Sequence, residues 1–149
     1  MNTVLARSYA KNPLKLLATR GIGPVSWVYA ATYGGGIVGG DAIALNVHVE
    51  HDARAVLTTQ ASTKVYRSLR PASQHLNAAI EDDALLVVAP DPVVCFEGAD
   101  FSQVQEFDLA PRASLVLIDW ITSGRHATGE RWAFRRYSNR IDVRRGGRR

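Results

Sequence analysis

The run Gly34-Gly35-Gly36-Ile37-Val38-Gly39 satisfies the GxGxxG pattern letter for letter. A dinucleotide site built on that pattern needs a helix opening at the loop, so that its N-terminal amides face a pyrophosphate. The next residues, Asp41 to Val47, alternate like a strand, and no Lys-Ser or Lys-Thr pair closes a phosphate-binding loop. The glycines therefore predict a tight turn between strands, where positive φ and close backbone approach are required. His48 and His51 lie three apart, a spacing that shares a face on a helix but takes opposite faces of a strand. On the polar side of that strand His48 shares its face with Glu50, and the pair offers a weak, transient contact to nickel or zinc rather than a closed structural site. Cys95 is the only cysteine, which excludes an internal disulfide and a multi-cysteine metal site. Ser62-Thr63-Lys64 falls short of an SxxK nucleophile because residue 65 is valine, and GxSxG and HExxH are absent. Asp82, Asp83, Asp91 and Asp100 fall at expected turns, where carboxylates cap backbone amides. With no acid, base and nucleophile set, the sequence predicts no catalytic residues and no enzymatic activity.

These residues must be positioned by short strands. Val25 to Tyr33 is rich in β-branched and aromatic residues, and Ile43, Leu45, Val47 and Val49 alternate with polar or small neighbours. Further strands are expected at 54–60, 76–80, 85–89, 104–109, 114–121 and 131–137, with turn residues recurring every ten residues or so. A weak internal repeat sharpens this. NVHVEHDARAVLTTQ, NAAIEDDALLVVAPD and QEFDLAPRASLVLID share a strand, a polar corner, an alanine and an apolar strand, with Ala53, Ala84 and Ala113 spaced by 31 and 29 residues. Repeats near thirty residues point to stacked or coiled β units, each burying its neighbour's apolar face. The expected fold is all-β, a scaffold of stacked or coiled short strands, with an ordinary β-sandwich of evenly spaced hairpins as the alternative.

A chain of 149 residues, 46% of them hydrophobic, can fill one sizeable core, and residues 1–149 read as one β domain. No apolar run approaches membrane-spanning length. Arg7, Lys11, Lys15 and Arg20 interrupt any secretory h-region, so a cytoplasmic location is expected. The net charge of +4 is unevenly placed: nine arginines from Arg125 onward face only Glu130 and Asp142. That segment suggests a competing function, a nucleic-acid-binding β domain with Trp132, Phe134 and Tyr137 as stacking platforms. It reads equally as the solvated face of strands, because the arginines are interleaved with apolar residues.

Four ordered blocks carry a more specific signal: GGGIVGGD at 34–41, AVLTTQASTKVYRS at 55–68, PDPVVCFEGADFSQ at 90–103 and SGRHATGERW at 123–132, with SYAKNPLKLL near the start. Together they resemble the UreD (UreH) family of urease accessory proteins. The resemblance implies a chain of nearly twice this length, with residues 1–149 stopping in the middle of the fold. It also implies a non-enzymatic, β-helix-like or β-sandwich-like scaffold carrying one or two short helices. Such a scaffold binds a UreF-type accessory protein and, through it, a UreG-type GTPase, docks on apo-urease and lets nickel pass in transit, with no tightly bound cofactor. Cys95 stands where the family block carries a less reactive residue, and its thiol is either a nickel ligand or a buried small hydrophobe. A conduit needs polar side chains pointing inward, and Asp41, Thr58, Thr59, Gln60, Lys64 and Tyr66 in the two strongest blocks are the candidates for lining or supporting it. Asp41 ends the glycine run, where its carboxylate either accepts turn amides or faces the polar interior and attracts the cation. Lys64, sharing a face with Tyr66, is in this reading buried beside an anionic or hydrogen-bonding partner. The threonines and Gln60 have a second reading, as groups that satisfy backbone at strand ends.

Overall fold

The computed structural model describes residues 2–19 and 23–147. Arg20, Arg148 and Arg149, which contribute to the charge pattern, lie outside them. Strands β1 (Leu14–Ala18) and β2 (Ser26–Thr32) form an antiparallel hairpin. After it the chain winds as a parallel coil. The first turn is β3 (Ala42–Val49), β4 (Arg54–Thr59) and β5 (Thr63–Val65). The second is β6 (Ala72–Ile80), β7 (Leu85–Val88) and β8 (Val93–Cys95). The third is β9 (Asp100–Leu109), β10 (Ser114–Leu117) and β11 (Ile121–Thr122), after which β12 (Arg136–Arg145) stacks on β9. Equivalent strands stack into three sheets: a long one ordered β12-β9-β6-β3, a five-stranded one ordered β1-β2-β4-β7-β10, and a short one ordered β11-β8-β5.

The thirty-residue repeat is the pitch of this coil. Arg54 stands beside Leu85 and Leu85 beside Ser114 in the parallel ladders, the same 31 and 29 residues that separate the three alanines. Each alanine closes a tight corner: the amides of Ala53, Ala84 and Ala113 donate to the carbonyls of Glu50, Glu81 and Ala110 at 3.0, 3.2 and 3.0 Å. Asp52 and Asp83 take φ of 60° and 61° at these corners, a left-handed conformation that aspartate tolerates better than most residues. Ala84 and Ala113 are buried, so the corner admits a methyl group and little more.

Two apolar clusters fill the coil. One, built on Leu57, Leu76, Leu86, Phe107 and Leu109, lies between the long and five-stranded sheets. The other gathers Ile37, Val65, Val93, Cys95 and Phe101 against the short sheet. The expected all-β stacking is therefore the architecture observed, and parallel stacking rather than a sandwich of hairpins is its form. Among the described residues the helical content is two 3-10 turns, Tyr33–Gly35 and His126–Thr128. The largest departure is at the basic end. The strand expected at 131–137 is mostly loop, and the strand itself is β12, whose inward positions Tyr137, Asn139, Ile141 and Val143 alternate with polar and charged residues.

Candidate functional site

Along β9 the inward positions read Phe101, Gln103, Gln105, Phe107, so two amide side chains lie between the apolar clusters. Gln103 and Gln105 are buried. Parallel register extends this polar file: Gln74 on β6, Gln103 on β9 and Asn139 on β12 occupy one row along the coil axis. Asp119, in the link between β10 and β11, completes it by accepting from Gln105 Nε2 at 2.8 Å and from Asn139 Nδ2. No buried side-chain nitrogen or oxygen among the described residues lacks a partner. At the other end of the row, Gln74 joins Thr59, Gln60, Ser62 and Thr63 around a cavity of about 160 Å³ that also touches Leu14, Ile43 and Leu45. Sequence reasoning missed Gln74, Gln103, Gln105, Asp119 and Asn139. For Gln103 and Gln105 the signal was available: they share the parity of Phe101 and Phe107, which places them inside, as Gln74 shares that of Leu76 and Ala78.

The conduit candidates divide by position. Thr59 and Gln60 reach the cavity, although Thr59 also serves its strand end, donating from Oγ1 to Asp91 at 3.0 Å while accepting the Asp91 amide at 2.8 Å. Thr58 Oγ1 donates to the carbonyl of Ala89 at 2.7 Å, tying one coil to the next. Asp41 closes the glycine turn, its carboxylate accepting the Val38 amide at 2.9 Å. Lys64 and Tyr66 share a face, but it is the outer one: Val65 between them is buried, Lys64 is exposed, and Tyr66 packs edge-on against Phe96 at 5.3 Å between centroids. The expectation of a buried Lys64 beside an anionic or hydrogen-bonding partner is corrected by this parity. The glycine run holds one 3-10 turn, opens no α-helix and leads into β3, with Gly36 so close to the Lys64 carbonyl and the Tyr66 ring that a Cβ would stand 2.7 and 2.5 Å from them.

The family model described as UreD urease accessory protein matches residues 1–149. The chain belongs to that family. It is 53% identical over 146 residues to the urease accessory protein UreD of Sorangium cellulosum (strain So ce56), covering 98% of this chain and 47% of the relative. It is 48% identical over 137 residues to urease accessory protein D of Arabidopsis thaliana, covering 88% and 47%. Against urease accessory protein D of Oryza sativa subsp. indica it is 46% identical over 143 residues, covering 92% and 47%. The chain thus spans about half the length of the curated relatives it matches. The blocks that carry the UreD resemblance gather around one line of the coil, since Ile37 bridges Val65, Val65 pairs with Cys95, and the Glu97 amide donates to Glu130 at 2.7 Å.

The remaining candidates of this UreD-family chain sit apart from the axial file. His48 Nε2 meets Glu81 Oε1 at 2.9 Å, a residue one coil on, so the expected His48–Glu50 pair gives way to a cross-coil contact. The amide of His51 and the His48 ring hold the Glu81 carboxyl below its usual range. His51, Asp52 and Asp83 come within metal-ligating distance of one another on the surface, but Asp83 is already gripped by Arg112 at 2.7 Å. Cys95 is fully buried in the second apolar cluster, and burial pushes its thiol up to about 11, the behaviour of a small hydrophobe rather than of a reactive thiolate. Tyr137 is pushed up to about 12 by burial and then by the charge of Asp119.

The arginines of the basic segment are largely engaged. Arg135 and Arg136 bind Asp100 at 2.7 and 2.9 Å, Arg144 reaches Glu106 and Asp108 at 3.2 and 3.7 Å, and Arg140 binds Asp142 at 3.0 Å. Trp132, Phe134 and Tyr137 contact one another edge-on instead of presenting flat platforms. The nucleic-acid alternative is not favoured, because Arg125, Arg135, Arg136, Arg140 and Arg144 already have carboxylate partners. Among the described residues no helix is long and apolar enough to cross a membrane.

Proposed function

We propose that this chain is one β unit of a non-enzymatic scaffold that supports nickel insertion into apo-urease in the cytoplasm. It works with a UreF-type accessory protein and, through it, a UreG-type GTPase. The observation that carries this reading, beside family membership, is the axial row Gln74–Gln103–Asn139 leading from the cavity at Thr59 and Gln60 to Asp119. Amide oxygens and one carboxylate are hard donors that exchange with the water of a hydrated divalent cation without trapping it, which suits cargo in transit. Asp119 attracts the cation, the amides replace part of its hydration, and the flanking apolar clusters confine it to the row. Thr58 and Asp41 hold the backbone around it, while Lys64 and Tyr66 form the outer wall.

Deleting the gene should leave urease protein present but nickel-poor and nearly inactive; normal nickel content in the deletion strain would end the proposal. Restoring the gene with Asp119→Asn, which keeps the acceptor for Gln105 but removes the charge, should slow urease activation chiefly at limiting nickel. Activation at the wild-type rate under that limit would remove Asp119 from the path.

A further inference from the structure

Leu69 is 94% exposed at the centre of the Tyr66–Pro71 loop between β5 and β6. A leucine held in water is unfavourable by about 1.5–3 kcal/mol relative to full burial, so its surroundings are informative. This loop is built, not loose. The Gly40 amide donates to the Pro71 carbonyl at 3.0 Å, and the Arg70 amide donates to Ser68 Oγ at 3.1 Å. The back of the loop rests on Gly39, where a Cβ would stand 1.5 Å from Ser68 Oγ and 2.5 Å from the Arg70 carbonyl. The stem of Arg67 lies against Gly98, whose amide is bound to the Ala133 carbonyl at 3.0 Å, so the loop is continuous with the segment carrying Arg131 and Trp132.

Charge is concentrated on the same corner. Among the described residues Lys64, Arg67, Arg70 and Arg131 make no ion pair, in contrast to the carboxylate-bound arginines of β12. Of the nearby acids Asp41 accepts the Val38 amide, Glu130 binds Arg125 and Asp100 binds Arg135 and Arg136, which leaves the exposed Glu97 as one acid among four unpaired cations. Val38 and Trp132, 53% and 56% exposed, add apolar surface beside the arginines. Rigid apolar and arginine anchors on a preordered loop are the composition of a protein-binding hot spot.

We propose that this corner docks an acidic protein surface that offers an apolar recess to Leu69, with Arg67, Arg70, Lys64 and Arg131 meeting its carboxylates. A nucleic acid fits less well, because an aliphatic side chain at the centre of the patch neither stacks on bases nor binds phosphate. Such docking requires this surface alone and does not depend on nickel delivery.

The test titrates the purified chain with a fluorescent Glu/Tyr copolymer, with polyglutamate and with double-stranded DNA. The copolymer should bind about tenfold more tightly than polyglutamate. Leu69→Asp should abolish that preference while leaving thermal unfolding unchanged. Arg67→Ala with Arg70→Ala should weaken both acidic polymers by about tenfold, and Arg54→Ala at the β3–β4 corner should have no effect. Equal binding of the two acidic polymers, copolymer binding unaffected by the variants, or DNA bound more tightly than the copolymer would each overturn the proposal. So would a change in sedimentation of the unmixed chain on Leu69→Asp, which would make a second copy the occupant.

Discussion

Two guanidinium groups, from Arg135 and Arg136, converge on Asp100 where β9 begins and β12 stacks on it. Their hydrogen bonds hold the Asp100 carboxyl below the ordinary aspartate value of 3.8. A carboxyl depressed in the folded state stabilises it above the unfolded value, and the contribution disappears as pH falls through the lower folded value. Asp100→Asn should therefore lower the melting temperature at neutral pH, and the gap to the wild type should close as the pH is taken below about 4. A gap that does not narrow at all as the pH falls below about 4 would mean that the carboxylate charge is not what matters. Parity governs how much was legible at this scale. Burial of Cys95 follows from the alternation Val93, Val94, Cys95, whereas Lys64 was misplaced because its strand was not anchored to the inward Val65.

Turns between strands depend on how closely two backbones approach. At Gly39 an added methyl group would overlap Ser68 Oγ and the Arg70 carbonyl, and backbone cannot move aside as a flexible side chain can. Gly39→Ala should cost about 1–3 kcal/mol of unfolding free energy in urea titrations. At Gly35 the space is open but φ is 75°, so Gly35→Ala should cost only about 1–2 kcal/mol from left-handed strain. If both variants unfold like the wild type, the turn is not under the constraint described. β3, with its strict alternation, and β4, a run of β-branched and apolar residues set off by the His51-Asp52 turn, were readable to within a residue or two. β6 and β9 extend further toward their N-termini than expected, through Ser73, Gln74, His75 and Ser102, Gln103, because polar residues pointing inward do not look like strand. β12 was missed for a related reason. Its inward row mixes Asn139 with Ile141 and Val143, and its partner is ten residues of β9 that sequence alone does not bring alongside.

The stacking that buries β6 and β9 leaves the inner face of β12 partly open, with Ile141 and Val143 at 42% and 44% exposure. A flat parallel edge with apolar side chains invites a second chain. Sedimentation of the 149-residue chain should show concentration-dependent association that Ile141→Glu with Val143→Glu reduces; a sharp monomer boundary at all concentrations would argue against it. The in-register ladders carry another consequence, for how such a molecule can change in length. Since Arg54 lies beside Leu85 and Leu85 beside Ser114, a tandem copy of residues 54–84 would meet its neighbours with every side chain still facing as before. One residue inserted within a strand would instead turn all later positions of that strand inside out. Viable size variants of this scaffold are thus quantised in whole rungs, each adding or removing about 4.8 Å along the axis.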